Sequence, residues 1–409
     1  MKYFVLLCNG AADRKISALG DKTPLEAAEK PTFNMLSYRS FNGLVSNVSK
    51  KFPSDAFTSY LSVVNCDPDE LTGFASFDAT AAGISLDGDD TAYRCSFVTL
   101  TDNGEAYAEK QLTDCCAPAA KDEITKLISA LNKGLSTKIK KFYANEDKGI
   151  LVWKRAPEGA ELHSPEEALD KRIGELLPAG EGSAKLLQLF EKSFEILNDH
   201  PVNVKRRERG EKPLNSIWLW SASKKPGLTV YNDKWKVSAS VISDDRDVKI
   251  ISGLNGMKYI DAAGVDSAEK AQTAIKEFEN GTDLVLYHTN DAAERALAGD
   301  ADGKVKVIED LDANVLAPVY EYLCGCGDQF KLLVTTGISA LTEEKAFSAD
   351  AVPFFMYNSM RTEVGYKPFS ETNAKKSGFY LPQGYKFTSF MIRIPEPAKE
   401  ETQQENGQQ

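Results

Sequence analysis

Residues 3–8 read Tyr-Phe-Val-Leu-Leu-Cys and form an unbroken apolar run at the start of the chain. A run without alternation is typical of a strand that is buried on both faces of a parallel sheet. Asn9-Gly10 ends the run with a turn signal. Beyond it, apolar strands alternate with amphipathic helices, and a second such run occupies residues 284–288. This order predicts βαβ units and a doubly wound, mostly parallel α/β sheet.

The alternation is interrupted in the first half of the chain. From about residue 71 the segments become Thr-rich, and residues 155–183 are rich in Pro, Gly and Glu. A chain of 409 residues exceeds the size at which one hydrophobic core stops growing. We therefore predict a core domain of residues 1–70 and 185–395, with a smaller inserted α+β domain of residues 71–184.

Composition limits the classes of function. The chain has 60 Asp and Glu against 49 Lys and Arg, a formal net charge of −11. This acidic balance argues against nucleic-acid partners and anionic membrane surfaces. No apolar stretch reaches the ~20 residues of a membrane span, and no secretory leader is recognised. The seven Cys are mostly scattered, so we predict reduced thiols and a cytoplasmic protein. Residues 396–409 are rich in Pro, Glu and Gln and predict a disordered tail.

Several motifs resemble those of one enzyme family. They are Lys22-Thr-Pro-Leu-Glu-Ala-Ala28, Asp199-His-Pro-Val-Asn203, Asn215-Ser-Ile-Trp-Leu-Trp220 and Ser348-Ala-Asp-Ala-Val-Pro353. On these residues the chain resembles the archaeal-type, 2,3-bisphosphoglycerate-independent phosphoglycerate mutases, from the first strand to about residue 393. The resemblance implies an alkaline-phosphatase-like core interrupted by a smaller domain, which agrees with the strand pattern.

The resemblance also implies a reaction. The family moves a phosphoryl group between the 3- and 2-hydroxyls of glycerate, in glycolysis, with a serine as the carrier. Two divalent ions such as Mg²⁺ or Mn²⁺, held by Asp and His, activate this serine. Two adjacent cations neutralise the charge on the attacking and leaving oxygens. Such chemistry needs a hydroxyl nucleophile, several carboxylates and imidazoles, but this chain contains only three His.

The nucleophile position of the family falls on Ala56 when residues are counted without gaps from Leu44 to Asp67-Pro68. Alanine has no nucleophilic atom, so the sequence predicts no catalytic residue at this place. Ser54-Asp55 resembles the family's serine–aspartate pair, but this match requires a shift of two residues. Ser54 is therefore the fallback nucleophile.

The metal-ligand positions of the family carry residues that suit divalent cations poorly. They fall on Asn9, Ala293, Leu297, Gly337, Ile338 and Phe347. Mg²⁺ and Mn²⁺ need several charged oxygen ligands, whereas this set offers one neutral amide oxygen. None of the three His falls on a ligand position. The sequence therefore predicts no metal site and no cofactor.

Six residues are candidates for a pocket that binds a small phosphorylated or carboxylate ligand: Asn9, Lys148, Arg206, Asn215, Trp220 and Arg246. The forked guanidinium of Arg206 suits an anion, but a solvated face paired with glutamates explains its basic run equally well. Trp220 could stack on a ligand, although a buried strand is the favoured interpretation. Lys148 and Arg246 fall near sequence positions where the family has basic residues that contact the substrate. For both, an ordinary exposed side chain is the favoured interpretation.

Three functions are compatible with these residues. The leading prediction is a catalytically silent mutase relative, with a binding or regulatory role and a residual anion pocket. The first alternative is an active phosphoglycerate mutase, or a related phosphotransferase, with a rebuilt site. The second is a structural scaffold whose pocket is packed shut. The sequence leaves the ligand and the oligomeric state open.

Overall fold

The computed structural model describes residues 1–361 and 363–392. The strands, in chain order, are β1 (Lys2–Cys8), β2 (Phe41–Val45), β3 (Asp90–Leu100), β4 (Leu112–Asp114), β5 (Lys140–Asn145), β6 (Lys148–Lys154), β7 (Ala160–Glu161), β8 (Ala179–Gly180), β9 (Ser216–Lys224), β10 (Ala239–Ser243), β11 (Lys258–Asp261), β12 (Leu284–Thr289), β13 (Phe330–Thr335), β14 (Ser339–Leu341), β15 (Ala346–Ser348), β16 (Val352–Asn358) and β17 (Tyr380–Leu381). The predicted tail of residues 396–409 lies outside the described residues.

Helices cover much of the remaining chain. The α-helices are α1 (Pro24–Ala27), α2 (Pro31–Tyr38), α3 (Ala56–Val63), α4 (Ala75–Ala81), α5 (Lys121–Leu135), α6 (Pro165–Ala168), α7 (Ser183–Leu197), α8 (Pro201–Glu208), α9 (Tyr231–Trp235), α10 (Arg246–Leu254), α11 (Ser267–Glu279), α12 (Asp291–Ala298), α13 (Ala301–Asp310), α14 (Ala317–Gly325), α15 (Glu371–Lys376) and α16 (Phe387–Ile392). A π-helical segment, Leu311–Leu316, joins α13 to α14. Within the described part of the chain, no helix combines the length and apolar character needed to cross a bilayer.

The chain divides into two compact units. The first unit contains Met1–Asp69 and the described residues from Leu228 onward, and the second contains Glu70–Gly227. The sequence predicts that the inserted domain ends at residue 184, whereas the second unit of the structure extends to Gly227. The reason is packing, because β9 pairs antiparallel with β3 and α7 buries its apolar face in the same core as β3. Helical periodicity shows that a segment is amphipathic, but not which sheet it covers.

A large sheet organises the first unit. Its strand order is β11-β10-β12-β1-β13-β16-β2-β17. Strand β1 lies between β12 and β13 and is parallel to both, so that Tyr3 pairs with Leu284 and Lys331. Only the pairs that β16 forms with β13 and β2 are antiparallel. This topology confirms the predicted doubly wound, mostly parallel sheet.

Strand β1 is apolar from Tyr3 to Cys8 because both of its faces are buried there. Phe4 and Leu6 belong to a core cluster with Leu36 of α2 and Leu323 of α14. Leu7, on the opposite face, is also fully buried. A strand covered on both sides gains no benefit from alternating polar residues, which explains the unbroken run.

The second unit is built on an antiparallel sheet. Strand β3 pairs with β6 and β9, and β5 continues the sheet beyond β6. Helix α5 packs on it through Ile124, Leu127 and Leu131, all fully buried. The amphipathic pattern of residues 121–132 predicts this helix and its buried face.

Replacing Leu332 by Ala should destabilise the first unit. Leu332 lies in β13 and is fully buried, so truncation leaves a cavity that costs about 2–5 kcal/mol of unfolding free energy. Denaturant unfolding measures the loss. The matched control is Leu297→Ala on α12, where the side chain is 38% exposed and the expected loss is about 0.5 kcal/mol. Equal losses would contradict this description of the core.

Candidate functional site

The carboxyl ends of β1, β12 and β13 meet at one edge of the first unit's sheet, since these strands are parallel neighbours. Asn9 follows β1, Asn290 follows β12, and Thr336-Gly337 follow β13. Open α/β sheets bind their ligands at this edge. We therefore take the carboxyl edge, meaning these residues and their direct contacts, as the candidate site.

Asn9 is fully buried and anchors a chain of polar side chains. Its Nδ2 lies 3.0 Å from His288 Nε2 and donates at 3.0 Å to Asn290 Oδ1. On its other side, His288 Nδ1 lies 2.8 Å from Ser243 Oγ. Asn290 Nδ2 in turn donates to Asp245 Oδ2 at 2.6 Å. Because the Asn9 amide donates, His288 Nε2 accepts and the ring carries its proton on Nδ1.

His288 is held in its neutral form. Burial lowers its pKa to about 4, against the opposing effect of the carboxylates of Asp245 and Asp244. The edge of the neighbouring Tyr60 ring packs against it with the ring centroids 5.5 Å apart. The carboxyl edge thus presents a buried neutral imidazole beside an amide. The sequence did not predict this role. In the sequence, His288 simply follows the apolar residues of a strand, and nothing nearby indicates that its ring faces Asn9.

Apolar side chains pack beside Gly10 at the same edge. Ala293 is buried with Ala296 and Ala340, and Phe347 packs against the three. The backbone of Gly10 approaches so closely that a Cβ there would lie 2.5 Å from Ala293 Cα. Gly10 also has φ of +77°, a conformation that L side chains rarely adopt.

The residues at the ligand positions do not fit a pair of divalent cations. Ala293 and Ile338 are buried apolar residues, and Leu297 is exposed on α12. Gly337 leaves room for the Asn9 amide, whose Oδ1 would lie 2.0 Å from a Cβ at that residue. Asn9 Oδ1 has no hydrogen-bond partner among the described residues, but it is one neutral oxygen. Divalent Mg²⁺ or Mn²⁺ requires several charged oxygens, which these six positions lack.

The nucleophile position lies at the start of α3. Ala56 is the first residue of the helix and Asp55 is its N-cap. The Asp55 carboxylate accepts hydrogen bonds from both Thr58 N and Thr58 Oγ1 at 2.7 Å. Ser54 precedes the cap and is half-buried. The serine–aspartate pair of the shifted alignment is therefore present, with its aspartate engaged in helix capping.

A buried ion pair stabilises the loop that follows Asn9. Lys304 Nζ donates to Asp13 Oδ2 at 2.7 Å, and their side chains are 0% and 2% exposed. Thr342 Oγ1 also donates to Asp13 at 2.6 Å, and Lys304 donates to Ala340 O. This pair links the turn after β1 to α13 and to β14. The sequence did not predict this ion pair either, because Asp13 and Lys304 lie far apart in the chain and neither belongs to a recognisable motif.

Two of the candidate pocket residues have structural roles. Arg206 is 2% exposed, and it donates to Glu123 Oε2 at 2.6 Å, to Lys212 O and to Pro118 O. The interpretation of Arg206 as a ligand for an anion is therefore corrected: its guanidinium is already bound to protein groups. Asn215 is buried against β3, where it donates to Leu100 O and accepts from Leu100 N.

The remaining candidates are dispersed. Trp220 donates from Nε1 to Ser96 Oγ at 3.0 Å, and the Arg94 guanidinium lies 5.1 Å from its ring centroid. Lys148 is exposed at the first position of β6. Arg246 begins α10 in the first unit, directly after Asp245. Of the six candidates, Asn9 and Arg246 are thus the two that belong to the unit containing the carboxyl edge.

Comparisons with known proteins indicate one family. A sequence profile of 2,3-bisphosphoglycerate-independent phosphoglycerate mutases matches residues 38–203. A probable enzyme of this name from Geobacter sulfurreducens is 29% identical over 400 residues, covering 96% of this chain and 100% of its own. The enzyme of this name from Methanosarcina mazei is 29% identical over 405 residues, with the same coverage.

Solved structures share the fold. The structure of a cofactor-independent phosphoglycerate mutase from Thermoplasma acidophilum superimposes with a TM-score of 0.68 at 22% identity, covering 96% of this chain and 99% of its own. The PH0037 protein from Pyrococcus horikoshii gives 0.67 at 23% identity, with 96% of both chains covered. These likenesses confirm the predicted alkaline-phosphatase-like architecture.

Acid should destabilise the first unit through His288. Its folded pKa lies below the ordinary value of 6.5, so between pH 6.5 and about 4 the unfolded chain binds more protons. Unfolding free energy should therefore fall as pH drops through this window. In His288→Gln this fall should be smaller, as measured by urea unfolding from pH 7 to pH 5. His163→Gln in the second unit is the control, and an unchanged pH slope in His288→Gln would contradict the prediction.

Breaking the buried ion pair should be costly. Asp13→Asn leaves the Lys304 ammonium buried without its counter-charge, which costs about 3–5 kcal/mol of unfolding free energy. The double variant Asp13→Asn with Lys304→Met should recover most of this loss. Arg14→Gln, which breaks a neighbouring exposed pair with Glu344, serves as a control with a much smaller effect. No recovery in the double variant would show that the charge is not the cause.

Proposed function

We propose that this chain is a member of the 2,3-bisphosphoglycerate-independent phosphoglycerate mutases, which it resembles in sequence, and that it lacks metal-dependent phosphoryl transfer. Its proposed role is to bind a small phosphorylated or carboxylate ligand in the cytosol. The observation that supports this is the composition of the carboxyl edge. An amide and a neutral imidazole lie at this edge, where Ala293 and Phe347 also pack together.

An active mutase is the second candidate, and the comparisons favour it more than they favour loss of activity. The relatives from Geobacter sulfurreducens and Methanosarcina mazei carry mutase names and match over 96% of this chain. Ser54 and the Asp55 cap at the start of α3 supply a specific observation for this candidate. A nucleophile at Ser54 would still need a base or a cation beside it.

The two candidates differ in turnover. We expect the purified chain, supplied with Mn²⁺ or Mg²⁺, to convert no 3-phosphoglycerate to 2-phosphoglycerate in a coupled assay. Ala56→Ser should remain inactive, because a hydroxyl alone restores none of the missing charged ligands. The Methanosarcina mazei protein, assayed in parallel, is the positive control. Wild-type turnover that disappears in Ser54→Ala would establish the active mutase instead.

Binding is tested separately by thermal shift. A ligand that binds only the folded chain raises its Tm with concentration. We expect 3-phosphoglycerate to raise the Tm, and Arg246→Gln, which changes the residue directly after Asp245, to reduce that rise. Lys249→Gln on the same helix is the matched control, and sodium chloride at equal ionic strength controls for screening. An unchanged Tm at millimolar 3-phosphoglycerate, together with absent turnover, would exclude this ligand.

A further inference from the structure

The second unit contains a cluster of metal-binding side chains far in sequence from the carboxyl edge. Cys115 and Cys116 follow β4, and Glu166 lies in the first turn of α6. One ligand atom from each of the three lies within 4.8 Å of the other two. In residues 1–361 and 363–392, this is the one group of three or more His, Cys, Asp or Glu that meets such a distance. We propose that Cys115, Cys116 and Glu166 form a Zn²⁺ site.

The spacing of the sulfurs fits zinc. Cys115 Sγ and Cys116 Sγ are 3.6 Å apart, and both cysteines are free thiols. At a Zn–S distance of about 2.3 Å, sulfurs with this separation subtend about 100° at the metal, which is near the tetrahedral angle. The Glu166 carboxylate oxygen lies within 4.8 Å of both sulfurs, so a small side-chain adjustment gives it the Zn–O distance of about 2.1 Å.

The fold supports both sides of the site. Leu112 N donates to Lys171 O at 3.1 Å, and Asp170 N donates to Leu112 O at 2.8 Å, so the chain after α6 runs beside β4. Leu112 and Ala168, at the ends of these segments, are fully buried in one core. These bonds hold the first turn of α6 next to the cysteines, although about fifty residues of sequence separate them.

The cysteine segment itself is fixed at both ends. Asp114 Oδ1 accepts a hydrogen bond from Cys116 N at 2.8 Å, and Thr99 of β3 pairs with Asp114. Two residues further on, the buried Arg206 donates to Pro118 O at 2.9 Å. Short, anchored loops of this kind reduce the entropy lost when a metal orders its ligands.

Electrostatics favour a cation here. Burial, the Cys116 thiol, and the charges of Glu166 and Asp114 raise the pKa of the Cys115 thiol to about 12. Cysteine binds zinc as the thiolate, so each Zn–S bond forms in place of an S–H bond whose proton passes to solvent, while Glu166 supplies an oxygen. With three protein ligands, the fourth position of the tetrahedron is left for water.

Calorimetric titration of the full chain with Zn²⁺, in a non-thiol reductant, tests the site. We expect one equivalent to bind, with proton release from the thiols seen as buffer-dependent heat. Cys115→Ser with Cys116→Ser should abolish this binding. Glu166→Gln should weaken it by about tenfold or more. Circular dichroism checks that the variants, all at surface or half-buried positions, remain folded.

Two matched controls change residues of the same types, cysteine and glutamate, at positions outside the proposed zinc site. Cys324→Ser with Cys326→Ser removes the other closely spaced pair, which lies at the C-terminal end of α14 and has no third ligand among the described residues. Glu167→Gln alters the neighbouring carboxylate, which is paired with His163. Both should bind Zn²⁺ like the wild type. The proposal is overturned if the wild type binds no zinc stoichiometrically, if the double Cys115/Cys116 variant retains it, or if Glu166→Gln and Glu167→Gln behave alike.

Discussion

The parallel pairing of β1 with β12 and β13 is the constraint on which the first unit depends. Tyr3 meets Leu284 on one side and Lys331 on the other, so the centre of the sheet forms only when distant parts of the chain come together. Loop-closure entropy grows slowly with length, by about 0.6 kcal/mol for each doubling, so an inserted unit is tolerated thermodynamically. The insertion is instead expected to slow folding, because strand pairs between residues that are distant in sequence form late.

The same pairing fixes the chemistry of the carboxyl edge. It brings Asn9 next to His288 and the glycine turn after β13, and the described hydrogen-bond partners of the Asn9 amide, His288 and Asn290, are both uncharged side chains. Charge is instead buried nearby, in the pair between Asp13 and Lys304. That pair is neutral as a whole and satisfied by further hydrogen bonds, so it stabilises the loop without presenting a net charge to a ligand.

The parts of this fold that can be read from sequence are those with strong local periodicity. The apolar run of β1 and the amphipathic face of α5 both predict their elements, because burial alone decides them. The assignment of α7 and β9 to the second unit could not be predicted, since it depends on which sheet they cover. Arg206 was equally undetermined, because its hydrogen-bond partners Glu123 and Pro118 lie far away in sequence.

The contact between Gly10 and Ala293 limits which substitutions position 293 accepts. A carboxylate introduced at position 293 would enter a space shared with Ala340 and Phe347, beside the Gly10 backbone, where a Cβ on Gly10 would lie 2.5 Å from Ala293 Cα. A single acidic substitution there would cost stability, because its charge would be buried without a partner. A charged side chain can therefore be accommodated at this place only if its neighbours change with it, so substitutions at these positions are coupled and not independent.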